Sequence, residues 1–72
     1  MTGTQRRDQL IGVGRAAFAE RGLEGISMEE IAARAGVTKP VVYEHFGSKE
    51  GLYRAVVERE TARLEQTILG AI

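Results

Sequence analysis

Apolar positions recur at helical spacing along most of the chain, and glycines break the pattern after residues 21, 35 and 46. Between Arg6 and Arg21, Leu10, Ile11, Val13, Ala17 and Phe18 mark the apolar side of a first helix, and Gly22 supplies a left-handed stop. Gly12 and Gly14 inside it each cost about 1 kcal/mol relative to alanine, so at least one is expected to face a neighbour too close for a β-carbon. Gly22-Leu23-Glu24-Gly25 reads as a turn. Ser27-Met28-Glu29-Glu30 then matches the S-x-x-E capping box, in which hydroxyl and carboxylate satisfy backbone donors at a helix start. It predicts a second helix over 28–35, with Ile31, Ala32 and Ala35 on a narrow apolar face.

Gly36 ends that helix, and Thr38 is placed to cap a third over 39–46, whose first turn accepts Pro40 because early helical positions need no intrahelical N–H donor. At about 100° per residue, Val42 and Phe46 fall on one side, Pro40, Val41 and Glu44 on the other, and Lys39 and Tyr43 on a flank. One face is core and the other is presented. Gly47 closes this helix, Ser48 opens a fourth over 48–72, and Glu50 complements the dipole of its first turn. Leu52, Tyr53, Val56, Leu64, Ile68 and Ile72 carry an interrupted apolar stripe to the last residue without a stop signal. The chain is therefore expected to be the front end of a larger protein. The pattern predicts an all-α fold, a small helical bundle.

Helices two and three, joined by Ala35-Gly36-Val37, have the arrangement of a helix-turn-helix, whose second helix enters the major groove of DNA. A short, proline-led helix suits that task, since its exposed side needs reach and phosphate anchors more than amphipathic length. Charge does not advertise it. Ten Lys plus Arg balance ten Asp plus Glu, and residues 1–49 are barely basic. DNA affinity would have to come from placement. With 72 residues there is room for one domain, and with no cysteine neither disulfides nor thiolate metal sites can staple it. No signal peptide or membrane span is evident, so a soluble cytoplasmic protein without membrane contact is expected.

Three ordered stretches carry a family likeness: R-x-x-L-I-x-x-G-x-x-A-F-x-x-x-G from Arg7 to Gly22, S-M-E-E-I-A-A-R-A-G-V from Ser27 to Val37, and T-K-P-V-V-Y-E-H-F-G-S-K-E-G-L from Thr38 to Leu52. Together they resemble the amino-terminal DNA-binding domain of TetR-family transcriptional regulators, a homeodomain-like fold. The resemblance implies an arm over 1–5, a helix-turn-helix domain over 6–50, and a fourth helix leading into an absent domain that binds a small effector and dimerises. It implies that Ser27, Tyr43 and Lys49 contact phosphates, that Thr38, Lys39, Pro40 and Val41 approach base edges, and that His45 takes the family's phosphate-side histidine position. The function expected is sequence-specific binding of a palindromic operator by a homodimeric repressor in a bacterial cell. Gly14 departs from the family's usual alanine, and Glu29 places an acid where some members reach DNA with a base.

Other readings compete at several residues. Lys39 can donate to guanine O6 or N7, or simply be solvated, and Thr38 and Val41 can meet a thymine methyl. Tyr43 can pack its ring and donate its hydroxyl to a phosphate together. Glu44 can accept from cytosine N4 or lie outside the interface, and Arg6 and Arg7 either track the DNA backbone or are disordered. His45 is the single histidine, which excludes a multi-histidine metal site, and no serine has the partners of a nucleophile, so neither catalysis nor a cofactor is expected. Gly12 to Ala17 satisfies the dinucleotide fingerprint G-x-G-x-x-A, but nothing strand-like precedes it. The rival from another class is a helical interaction module docking through the apolar stripe of the fourth helix.

Overall fold

A computed structural model describes the backbone of residues 2–71 and the side chains of residues 2–62. It contains four α-helices in chain order, α1 (Gly3–Arg21), α2 (Met28–Ala35), α3 (Lys39–Phe46) and α4 (Lys49–Ala71), and no strand among the described residues. α1 packs against α2 and α4, and α3 closes the bundle between α2 and α4. No helix among the described residues is long and apolar enough to cross a membrane.

α1 begins at Gly3, three residues before the start expected at Arg6. Thr2 and Gln5 form a reciprocal capping box: the Gln5 amide donates to Thr2 Oγ1 at 3.1 Å and the Thr2 amide donates to Gln5 Oε1 at 2.9 Å. Residues 3–5, expected in an arm, are instead its first turn. α2 carries half of the box expected at Ser27. The Ser27 hydroxyl accepts from the Glu30 amide at 3.1 Å, while the Glu30 carboxylate receives Arg21 at 3.2 Å and Arg34 at 3.1 Å. Two guanidinium groups outcompete one backbone donor for a carboxylate. Ser48 caps α4 by accepting from the Gly51 amide at 3.0 Å.

Leu10, Ile31, Val42 and Leu52, one from each helix, are fully buried and meet in a core that includes Ile11, Ala17, Phe18, Ala32, Ala35 and Val56. Complete burial of such side chains supplies about 1.5–3 kcal/mol each, which a disulfide-free bundle needs. The sequence pattern named most of this core but missed Ile26, Met28 and Ala55. Ile26 and Ile31 occupy the two positions of a hydrophobic staple flanking the Ser27 cap, which explains a buried residue outside any helix. Of the two glycines within α1, a β-carbon at Gly14 would come within 3.0 Å of Leu52, whereas one at Gly12 would meet nothing within 4 Å. The glycines of G-x-G-x-x-A thus lie inside a helix, where no dinucleotide loop exists.

Candidate nucleic-acid interface

α2 stops because Gly36 adopts the left-handed conformation (φ +71°), letting the Gly36 amide donate to Ala33 O at 3.2 Å and the Val37 amide to Ala32 O at 3.0 Å. Those two bonds reverse the chain within three residues, and α3 starts at Lys39. Val37 packs on the core beside the turn, and Val42, 0% exposed, with Phe46 behind it, fixes the inner side of α3. Thr38, Lys39, Pro40 and Glu44 are exposed, and Tyr43 is 40% exposed. Val41, expected on the presented face, is half-buried, because its position about 100° beyond Pro40 turns it toward the bundle's edge.

The front of α3 is chemically open. Thr38 is the N-cap residue but its side chain makes no capping bond, contrary to the expectation from its position. Pro40 has no N–H, and the Val41 amide is served by the Thr38 carbonyl at 3.1 Å, so the helix start needs little help from a hydroxyl. The Thr38 hydroxyl therefore remains available. Lys39 Nζ lies 5.9 Å from the Tyr43 ring centroid, one turn further along the same flank, which steadies both side chains. His45 is half-buried with its ring 6.1 Å from that of Phe46. It stands about 160° around the helix from Tyr43, apart from the Lys39–Tyr43 pair.

Ser27 and Lys49 come together at the start of α2. Lys49 Nζ donates to the carbonyl of Ile26, the residue before Ser27, at 3.1 Å. An ammonium has three donors, so two remain for an anion, and the Ser27 hydroxyl keeps its proton to donate while its oxygen accepts from Glu30. Arg7, placed by α1 rather than by a loose arm, lies with Cζ 5.3 Å from the Phe46 ring centroid. Gln9 donates from Nε2 to Ala35 O at 3.0 Å and accepts from Arg6 Nη1 at 3.0 Å. Gln9 is not among the residues singled out from the sequence, because a contact across 26 residues leaves no local signal in it.

Among the described residues, two sets of charges stand apart. Asp8, Glu20, Glu30 and Glu60 pair with Arg59, Arg34, Arg21 and Arg15 around α1, α2 and α4. Among the described residues, Arg6, Arg7, Lys39 and Lys49, which border the helix-turn-helix, have no carboxylate partner. Among the described residues, the apolar stripe of α4 is turned to the bundle: Leu52 and Val56 are buried in it, and Tyr53, 41% exposed, packs edge-on against Phe18 at 5.4 Å. Leu64, Ile68 and Ile72 lie outside the described side chains.

Residues 10–56 match the family model of bacterial regulatory proteins of the tetR family, a stretch that contains the whole helix-turn-helix. The chain belongs to the TetR family. It is 44% identical over 68 residues to the HTH-type transcriptional activator FasR of Mycolicibacterium smegmatis, covering 94% of this chain and 31% of that protein. To the HTH-type transcriptional repressor AcnR of Corynebacterium glutamicum it is 29% identical over 65 residues, covering 90% and 35%. The crystal structure of a TetR-family regulator from Mesorhizobium loti superposes with a TM-score of 0.89 at 37% identity, covering 94% of this chain and 34% of that one. The chain thus spans about a third of the length of these TetR-family relatives.

Proposed function

We propose that this chain is the DNA-reading head of a TetR-family transcriptional regulator and that α3 enters the major groove. The observation carrying this reading is the division of α3. Val42 and Phe46 hold it from behind, while Thr38, Lys39, Pro40 and Tyr43 face outward at the end that follows the turn. Lys39 donates to base edges, and Thr38, Pro40 and Val41 shape the contact with neighbouring bases. Ser27, Tyr43, His45 and Lys49 anchor the phosphate backbone. The regulator acts in the bacterial cytoplasm as a homodimer on a palindromic operator, with half-sites about 34–36 Å apart or a multiple of that. A domain beyond this chain supplies dimerisation and binds the small effector that releases DNA. No catalysis, cofactor or membrane contact is assigned.

The proposed mode is repression by occupancy of the operator, as named for relatives such as AcnR, whereas FasR is named an activator. Selection of duplexes from a random pool with the full-length regulator tests the reading, followed by a salt titration on the recovered sequence. A palindromic consensus, with log affinity falling by about 0.9 per phosphate contact for each log unit of salt, is expected. Salt-independent binding, or no enriched sequence, would count against it. A reporter carrying that operator then separates repression from activation.

A further inference from the structure

We infer that Gln9, which lies on α1 outside the helix-turn-helix and faces its turn, is a positioning residue for DNA reading: its carboxamide aims α3. The inference rests on the proposed reading of α3 as the recognition helix. Ala35 ends α2, and its carbonyl is among the terminal acceptors that a helix leaves without an internal partner. The amides of Gly36 and Val37 fold back onto Ala33 and Ala32, so the turn's own bonds serve those two carbonyls and leave Ala35 O to Gln9. Nε2 reaches it at 3.0 Å across 26 residues of chain.

The orientation of the carboxamide is itself determined. A guanidinium can only donate, so Arg6 Nη1, at 3.0 Å, draws Oε1 toward itself and turns the NH2 group toward Ala35. Gln9 is half-buried, which limits competition from water for that carbonyl. One turn of α1 therefore holds α3 at both ends, with Gln9 on the turn that precedes it and Arg7 over the Phe46 ring that closes it. The lever is short. Thr38 and Lys39 follow Ala35 by three and four residues, and α3 is only 8 residues long, about 12 Å. A turn released from α1 lets that helix rock against a groove whose base contacts tolerate little displacement, while phosphate contacts elsewhere persist.

The test uses Gln9→Met in the full-length regulator, a change that keeps side-chain length and charge but removes the donor. The probes are the duplex enriched by the unsubstituted protein and a scrambled duplex of equal composition. Affinity for the enriched duplex should fall about threefold to tenfold. Affinity for the scrambled duplex and the salt slope should stay as they were, because no phosphate contact is removed. Equal losses on both duplexes, no loss on the enriched one, or a slope lowered by about one each overturn the assignment. Gln9→Glu, which places an acceptor against the Ala35 carbonyl, should lose at least as much. If both variants fail to fold, the residue holds the domain together rather than aiming α3, and the inference falls. If the unsubstituted protein enriches no duplex, the proposed function fails by itself. Hydrogen exchange then still reads the clamp: faster exchange confined to the Gly36 and Val37 amides in Gln9→Met supports it, and unchanged exchange overturns it.

Discussion

Gly14 of α1 lies directly against Leu52 of α4, so that a β-carbon on Gly14 would stand 3.0, 3.1 and 3.2 Å from Leu52 Cδ2, Cγ and Cδ1. Leu52 is 0% exposed and cannot withdraw without pressing on the core. Gly12, two residues earlier, faces open space. Gly12→Ala should therefore stabilise the domain by about 0.5–1 kcal/mol through helix propensity. Gly14→Ala gains the same propensity but overpacks Leu52, and a net loss of about 1 kcal/mol is expected. Thermal melting decides between them, and equal stabilisation by both would show that the helix pair has room to separate.

Lys39 and Tyr43 support each other, yet they are assigned different tasks. Lys39→Ala should relax base preference at one position, by less than the roughly 1–3 kcal/mol of a good bidentate contact. Tyr43→Phe keeps the ring over which Lys39 lies and loses only the hydroxyl, so it should weaken all duplexes alike. Binding measured on the selected site and on single-base variants of it checks this. Matching profiles for the two substitutions would refute the division of labour.

Lys49 joins α4 to the start of α2 through the Ile26 carbonyl and has donors to spare. Lys49→Met should lower the melting temperature slightly and reduce the salt slope of DNA binding by about one. A lower melting temperature with an unchanged slope would leave Lys49 a purely internal role.

The Glu20–Arg34 pair predicts a mild sensitivity to acid. Its hydrogen bond to Arg34, then the charge of that guanidinium, holds the Glu20 carboxyl below its ordinary 4.5, while the same hydrogen bond raises Arg34 above its ordinary value. A carboxyl more acidic in the folded than in the unfolded chain contributes stability above pH 4.5, lost as pH falls through the lowered value. The Arg34 contribution is present throughout the physiological range. Both groups are exposed, so the effect is small and screened by salt. Glu20→Gln should flatten the stability profile below pH 4.5, and an unaltered acid limb in denaturant titrations would remove Glu20 from the account.

The starts of the four helices show where local rules suffice and where they do not. Ser27 and Ser48 could be read as caps because a cap acts within three residues. The same reasoning expected a cap from Thr38 that is not made, and it overlooked Thr2-Gly3-Thr4-Gln5 because no apolar residue draws attention to it. Val41 was expected on the presented face from periodicity alone, and only the packed bundle shows its flank to be half covered.

From its sequence alone this protein has four helices, their glycine stops, the apolar sides of α1 to α3 and a turn leading to a proline-started α3. Each follows from forces between residues at most a turn or so apart. Tertiary structure decided which glycine faces Leu52, that Lys49 reaches the Ile26 carbonyl across 23 residues, and that Gln9 meets Ala35 across 26. It also sorted the balanced charges, bringing Asp8 to Arg59 across 51 residues and leaving the bases beside α3 without carboxylate partners among the described residues. Such pairs have no local signature, because residues far apart in the chain become neighbours only when whole helices pack to remove their apolar sides from water.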